Sequence, residues 1–198
     1  MTAPTDADLA RRAAAGDDAA AAALVRRYER PVFGVCLRML GRREDAEDAA
    51  QEVFLRLFRH LDKWDRSRPL KPWLMTIAAN RCRTALDRRR RKAPLLPGDL
   101  DPPDASTAPR DADIAEELQL AVDGLRDDHR AAFVLFHHEE LSLREVADAL
   151  GRPDGTIKTW LHRARKQLTE HLARRGVLPD VQTPPVAPPA ARREVQRV

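Results

Sequence analysis

The chain runs to 198 residues, 43% of them hydrophobic and 33% charged, with 35 Lys or Arg against 31 Asp or Glu and a formal net charge of +4. That length and apolar share suit one or two small domains with compact cores, while scarce aromatics, eight glycines and abundant Ala, Leu and Arg favour an all-α fold. The start, MTAPTDADLARRAAAG, has acids and no apolar h-region, and no run of about 18 apolar residues could cross a bilayer, so neither a signal peptide nor membrane insertion is expected and a cytoplasmic protein is. Both cysteines, Cys36 and Cys82, sit in apolar helical patterns, which argues for two reduced core thiols rather than a disulfide. Charge is uneven: residues 1–92 net +8 and the remainder −4, so the amino-terminal half calls for an anionic partner or a solvated basic face.

In chain order, residues 6–15 read as a short helix stopped by Gly16, and Asp17 or Asp18 caps a longer one that ends at Leu40-Gly41. Pro31 within it predicts a kink or a restart. The segment REDAEDAAQEVFLRLFRHL comes next. Ala46, Ala49, Ala50, Val53, Phe54, Leu57 and Leu61 make its apolar stripe, and acids crowd its first turns, where the helix dipole favours them. Opposite the stripe lie Asp48, Gln51, Glu52, Leu55 and Arg59. A leucine ringed by carboxylates and an amide is either a docking patch or a stray residue on a solvated face.

Residues 62–71, DKWDRSRPLK, break the periodicity, and a helix is predicted to resume at Pro72-Trp73. Leu74, Ile77, Ala78, Cys82 and Leu86 are its packing residues. Seven of the twelve residues from Arg81 to Lys92 are basic, which suits a frayed helix end or a surface that tracks phosphates. Trp73 falls in the apolar pattern and reads as core; Trp64, beside the loop, could be core or a stacking platform for unpaired bases. Residues 93–112 hold five prolines and four aspartates and read as an acidic linker, flexible enough that the modules on either side are expected to tumble independently.

Two helices follow, over residues 113–125 and 129–139, with Ile114, Leu118, Val122, Ala132, Val134, Leu135 and Phe136 as core candidates. Ser142 and Glu145 then form a capping-box pattern, with Leu141 and Val146 as its hydrophobic staple; Gly151 ends that helix and Pro153 presets the next. The product is a helix-turn-helix. Ile157, Leu161, Ala164, Leu168 and Leu172 share one side of the second helix, and Gly155, Lys158, Thr159, His162, Arg163 and Lys166 the other. Such a helix sits in a major groove with its amino-terminal half at base edges. Residues 113–148 carry three basic against ten acidic residues, a net of −7, whereas residues 149–176 carry seven against two, a net of +5. A merely solvated helical hairpin does not call for that swing. Residues 177–198, with five prolines, read as a disordered tail.

No chemistry is apparent. His137-His138 lacks partners at metal spacing, and there is no phosphate loop or nucleophile elbow, so no enzyme, cofactor or metal is read from the chain.

Taken together, DAEDAAQEVFLRLF, PWLMTIAANRCRTALDRRRR and LSLREVADALGRPDGTIKTWLHRARKQL resemble three segments of the extracytoplasmic-function sigma factors of bacterial RNA polymerase: the polymerase-binding helix of region 2, the promoter −10 segment, and region 4. The likeness covers about residues 8–174. It implies two small helical domains, region 2-like over 1–92 and region 4-like over 113–176, joined by the linker at 93–112. It also implies contacts to the β′ clamp helices of core polymerase through Asp48, Gln51, Glu52 and Leu55, and to the β flap. The −10 strand would fall to Trp64, Arg66, Lys71, Asn80, Arg83 and Arg88, and the −35 element to Thr156, Lys158, Thr159, His162, Arg163 and Lys166. An anti-sigma factor is a further candidate partner. Two departures stand out: Arg126 replaces the Pro usual in members, and Trp160 replaces a small polar or basic residue, either packing on the preceding helix or touching sugar and phosphate. Two other readings fit parts of the sequence: a stand-alone helix-turn-helix regulator with an amino-terminal effector domain, and an RNA-binding helical protein using the basic run from Arg88 to Lys92.

Overall fold

A computed structural model describes residues 4–92 and 111–177. The expected linker, from residue 93 to 110, and the expected tail, from 178 onward, lie outside the described residues. Among the described residues there are eight α-helices and no strand: α1 (Asp6–Ala14), α2 (Asp18–Leu40), α3 (Arg43–Arg59), α4 (Leu70–Lys92), α5 (Asp111–Asp123), α6 (Asp127–His137), α7 (Leu143–Leu150) and α8 (Asp154–Arg174), with a 3-10 turn at Leu61–Lys63.

The caps are those the sequence announces. Asp17 accepts the amide of Ala20 to open α2, and Gly41, at φ 74°, closes it in the left-handed conformation that only glycine takes without strain. Pro31 neither restarts nor splits α2, which is assigned as one continuous helix. Tyr28, Val32, Val35 and Cys36 are buried on both sides of the proline, and that packing carries the helix past the hydrogen bond it loses there. Helix α4 begins at Leu70, two residues earlier than expected. Pro72 is tolerated inside its first turn because the leading amides of a helix have no intrahelical acceptor to lose. Likewise α5 and α6 each start two residues before their predicted positions.

One apolar core runs from Leu9 through Val32, Met39, Val53, Leu57, Leu74 and Cys82 to Leu135, Val146, Ile157 and Leu161, so both halves of the chain share it. Both cysteines are fully buried and free. The halves, expected to move independently, are packed together: α2 rests on α5 and α6, and α4 on α6 and α7. A second, smaller cluster joins Ala121, Val122 and Leu125 to Ala164 and Leu168. Ile114 and Leu118 are corrections to the expected core, being 40% and 36% exposed. The cluster of α5 against α8 is filled by the last turn of α5 alone, which leaves its earlier leucines and isoleucine outside.

Candidate nucleic-acid interface

Three surfaces gather the residues that the sequence singles out. The first is the outer face of α3. Ala46, Ala49, Val53 and Leu57 are buried beneath it, which turns Asp48, Gln51 and Leu55 outward, and Leu55 is 58% exposed. Glu52 is half-buried instead. Arg81 of α4 donates from Nη2 to its Oε1 at 2.6 Å, and this hydrogen bond holds the Glu52 carboxyl below the usual carboxylate range. Arg81 is itself 8% exposed, so the face is braced from behind by a guanidinium that sequence reasoning counted only among the polar residues of α4. Its place beside Ala78 and Cys82 on the apolar stripe was the available signal.

The second surface is the loop before α4 and the outer side of α4 itself. Asp65 accepts from the Ser67 amide at 3.0 Å and from its hydroxyl at 2.7 Å, which folds the loop back on itself. Arg66, Arg68, Asn80 and Arg88 are exposed. Trp64 is not a platform in this structure: it is 5% exposed, its ring in the core, where it braces the loop from inside. Trp73 is the half-buried tryptophan of the pair. A cavity of about 490 Å³ opens between the loop and α7, lined by Lys63, Trp64, Arg68, Trp73, Glu145 and Asp148 among others. Lys71 and Arg83 are engaged across the molecule. Lys71 Nζ donates to the Glu139 carbonyl at 2.9 Å and lies 3.2 Å from its carboxylate, and Arg83 pairs with Asp128 at 2.9 Å.

The third is the helix-turn-helix. The Ser142 hydroxyl accepts the Glu145 amide at 3.3 Å while the Glu145 carboxylate accepts the Ser142 amide at 2.7 Å, so the capping box is complete. Gly151, at φ 62°, turns the chain and α8 begins after Pro153. Ile157, Leu161, Ala164 and Leu168 are buried, and Lys158, Thr159, His162, Arg163 and Lys166 are all exposed, with Thr156 at the margin. Thr159 donates its hydroxyl to the Gly155 carbonyl at 2.9 Å, leaving it free to accept. Trp160 takes the packing alternative: it is half-buried against the shared core, with His129 of α6 at 6.1 Å between ring centroids and the Arg152 guanidinium 5.9 Å from its ring centroid. Arg165 stacks on Phe136 in the same way. Those two arginines, at the turn and the flank of α8, are cations that the sequence pattern had not assigned.

Among the described residues no cluster of three or more His, Cys, Asp or Glu could hold a metal, and no helix is long and apolar enough to cross a membrane. Residues 24–92 match the family model of sigma-70 region 2, and residues 115–168 match that of sigma-70 region 4. The chain is 35% identical over 173 residues to the ECF RNA polymerase sigma factor SigW of Bacillus subtilis, covering 79% of this chain and 91% of that one. The solved structure of CnrH in complex with the cytosolic domain of CnrY is similar with a TM-score of 0.65 and 25% identity, over 85% of this chain and 97% of that chain. The sigma factor RpoE of Bartonella quintana, solved with the anti-sigma factor NepR, shares the fold at a TM-score of 0.61 and 22% identity, over 75% and 93%.

Proposed function

This chain belongs to the extracytoplasmic-function sigma factors, which direct RNA polymerase to promoters, and from that premise we propose how its three surfaces divide the work. The outer face of α3, with Asp48, Gln51, Glu52 and Leu55, docks on the β′ clamp helices, while the region 4 half adds a contact to the β flap. The loop with Arg66 and Lys71, held in shape by Trp64, together with Asn80, Arg83 and Arg88 of α4, takes the melted −10 strand. Helix α8 reads the −35 duplex through Thr156, Lys158, Thr159, His162, Arg163 and Lys166. Residues 1–92 and 113–176 serve as the two functional domains, with 93–112 as the connection between them and 177–198 as a tail. The protein is an initiation factor working in the cytoplasm without catalysis or a cofactor of its own, and an anti-sigma factor is the partner class that would hold it in reserve.

The observation that carries this reading is the row of exposed polar and basic side chains on α8, set behind a complete capping box, in a chain whose other half carries a leucine-centred docking face. Footprinting tests it. The purified chain alone should protect no specific site on promoter duplexes, and with core polymerase it should protect both elements and support run-off transcription. A specific footprint without polymerase would instead make it a stand-alone regulator.

A further inference from the structure

Arg152 has no part in the work assigned so far. It lies in the turn, two residues ahead of α8, and its backbone is fixed from both sides: its amide donates to the Ala147 carbonyl at 3.0 Å, and Pro153 after it restricts it to extended angles. Its side chain is exposed, with the guanidinium 5.9 Å from the centroid of the Trp160 ring, and among the described residues it forms no ion pair. Trp160 gives that guanidinium a rigid shelf, being half-buried against the shared core and backed by His129 of α6, which is 5% exposed. Burial first, and then the charges of Arg126 and Arg163, hold the His129 imidazole below its ordinary range, so a neutral ring stands behind the indole. Trp160 and Arg163, three residues apart, share a flank of α8, and Arg152 extends a line of positive charge from Arg163 back past the start of the helix.

Resting on the assignment of α8 to the −35 element, we propose that Arg152 is a phosphate contact of that duplex and that Trp160 is the residue that positions it. In a helix-turn-helix the first helix crosses the backbone and the second enters the groove, so a residue of the turn stands at the groove's edge, where phosphates run. A guanidinium held over an aromatic face keeps its N–H donors free for an oxyanion and loses few rotamers on binding one. Arg152 therefore adds affinity on every sequence and reads none, and Trp160 acts through Arg152 rather than on a base.

The test is holoenzyme binding to a library of −35 duplexes at several salt concentrations, with helicity and melting of each free variant as the control. Arg152→Ala, at an exposed position, should weaken every sequence by about tenfold and lower the salt slope by about one. Trp160→Leu should weaken binding about threefold in the otherwise unaltered chain and not at all when added to Arg152→Ala. Trp160→Phe keeps an aromatic face and should bind nearly as wild type. Unchanged affinity and slope for Arg152→Ala, or a loss confined to particular base pairs, would overturn the phosphate contact. A loss from Trp160→Leu that persists on the Arg152→Ala background, or Trp160→Phe binding no better than Trp160→Leu, would overturn the positioning role. The α8 assignment is read separately, from Lys158→Ala and Arg163→Ala in the same assay. Loss in those two beside an unchanged Arg152→Ala removes the contact and keeps the assignment, whereas no loss in either removes the assignment and the contact with it.

Discussion

Leu55 stands 58% exposed on a helix whose other leucine, Leu57, is fully buried, so its place is decided by register rather than by hydrophobicity. An apolar side chain on a polar face contributes nothing to this chain's stability and a good deal to an interface that can desolvate it. Replacing Leu55 with Asp should therefore leave the melting curve within about 0.5 kcal/mol of wild type. Association with core polymerase should nonetheless drop by more than tenfold in co-purification or fluorescence titration. Normal binding by the variant would move the docking face elsewhere. Glu52, half-buried three residues before Leu55 on α3, behaves differently: its carboxylate is held charged by Arg81, and its removal would leave a buried guanidinium without its partner.

At the scale of the element, α8 separates two kinds of cation by their distance from its amino terminus. Arg163 shares the exposed face with Lys158, Thr159 and His162 and has no ion-pair partner described, whereas Lys166 stands one turn past His162 with Glu170 3.8 Å away. Side chains near the start of a reading helix reach base edges, and those farther along meet phosphate. Arg163→Ala should cost roughly 1 to 3 kcal/mol on the preferred −35 sequence and relax the preference at one or two base pairs. Lys166→Ala should weaken all sequences alike and lower the salt slope by about one. Holoenzyme binding to a −35 library at several salt concentrations measures both. A uniform loss from Arg163→Ala would make it a phosphate contact and rotate the helix in its groove.

At the scale of the whole molecule, the shared core makes two halves into one folding unit. Arg130 is the clearest link: its guanidinium, 7% exposed in the residue as a whole, donates to the carbonyls of Met39, Asp123 and Leu125, and the first of these belongs to the other half. Removing it strands buried carbonyls, so Arg130→Met should destabilise the chain by about 3 to 5 kcal/mol, the range seen when one side of a buried charged contact is lost. Calorimetry of the wild-type chain should show a single transition with matching calorimetric and van't Hoff enthalpies, and the variant's whole transition should shift down. Two separable transitions, with only the later helices affected by Arg130→Met, would show that the halves fold alone.

The sequence by itself determined the helices, their caps and the outward faces of α3 and α8, because these follow from local rules: the 3.6-residue period, a side chain's reach to a nearby amide, and glycine's freedom at positive φ. Leu55 and the row from Lys158 to Lys166 were legible for that reason, as was the capping box at Ser142. Tertiary structure alone decided the rest. Trp64 could be core or platform until its ring was buried in the shared core; Trp160 found its place only against His129 and Arg152; and Ile114 and Leu118, periodic like any core residues, stand at the surface because among the described residues no element packs over them. Lys71, Arg83 and Arg90 meet acids 37 to 68 residues away, and separations of that size leave no periodic trace. What remained visible was the opposite net charge of the two halves, since complementary surfaces must differ in sign wherever the chain brings them together.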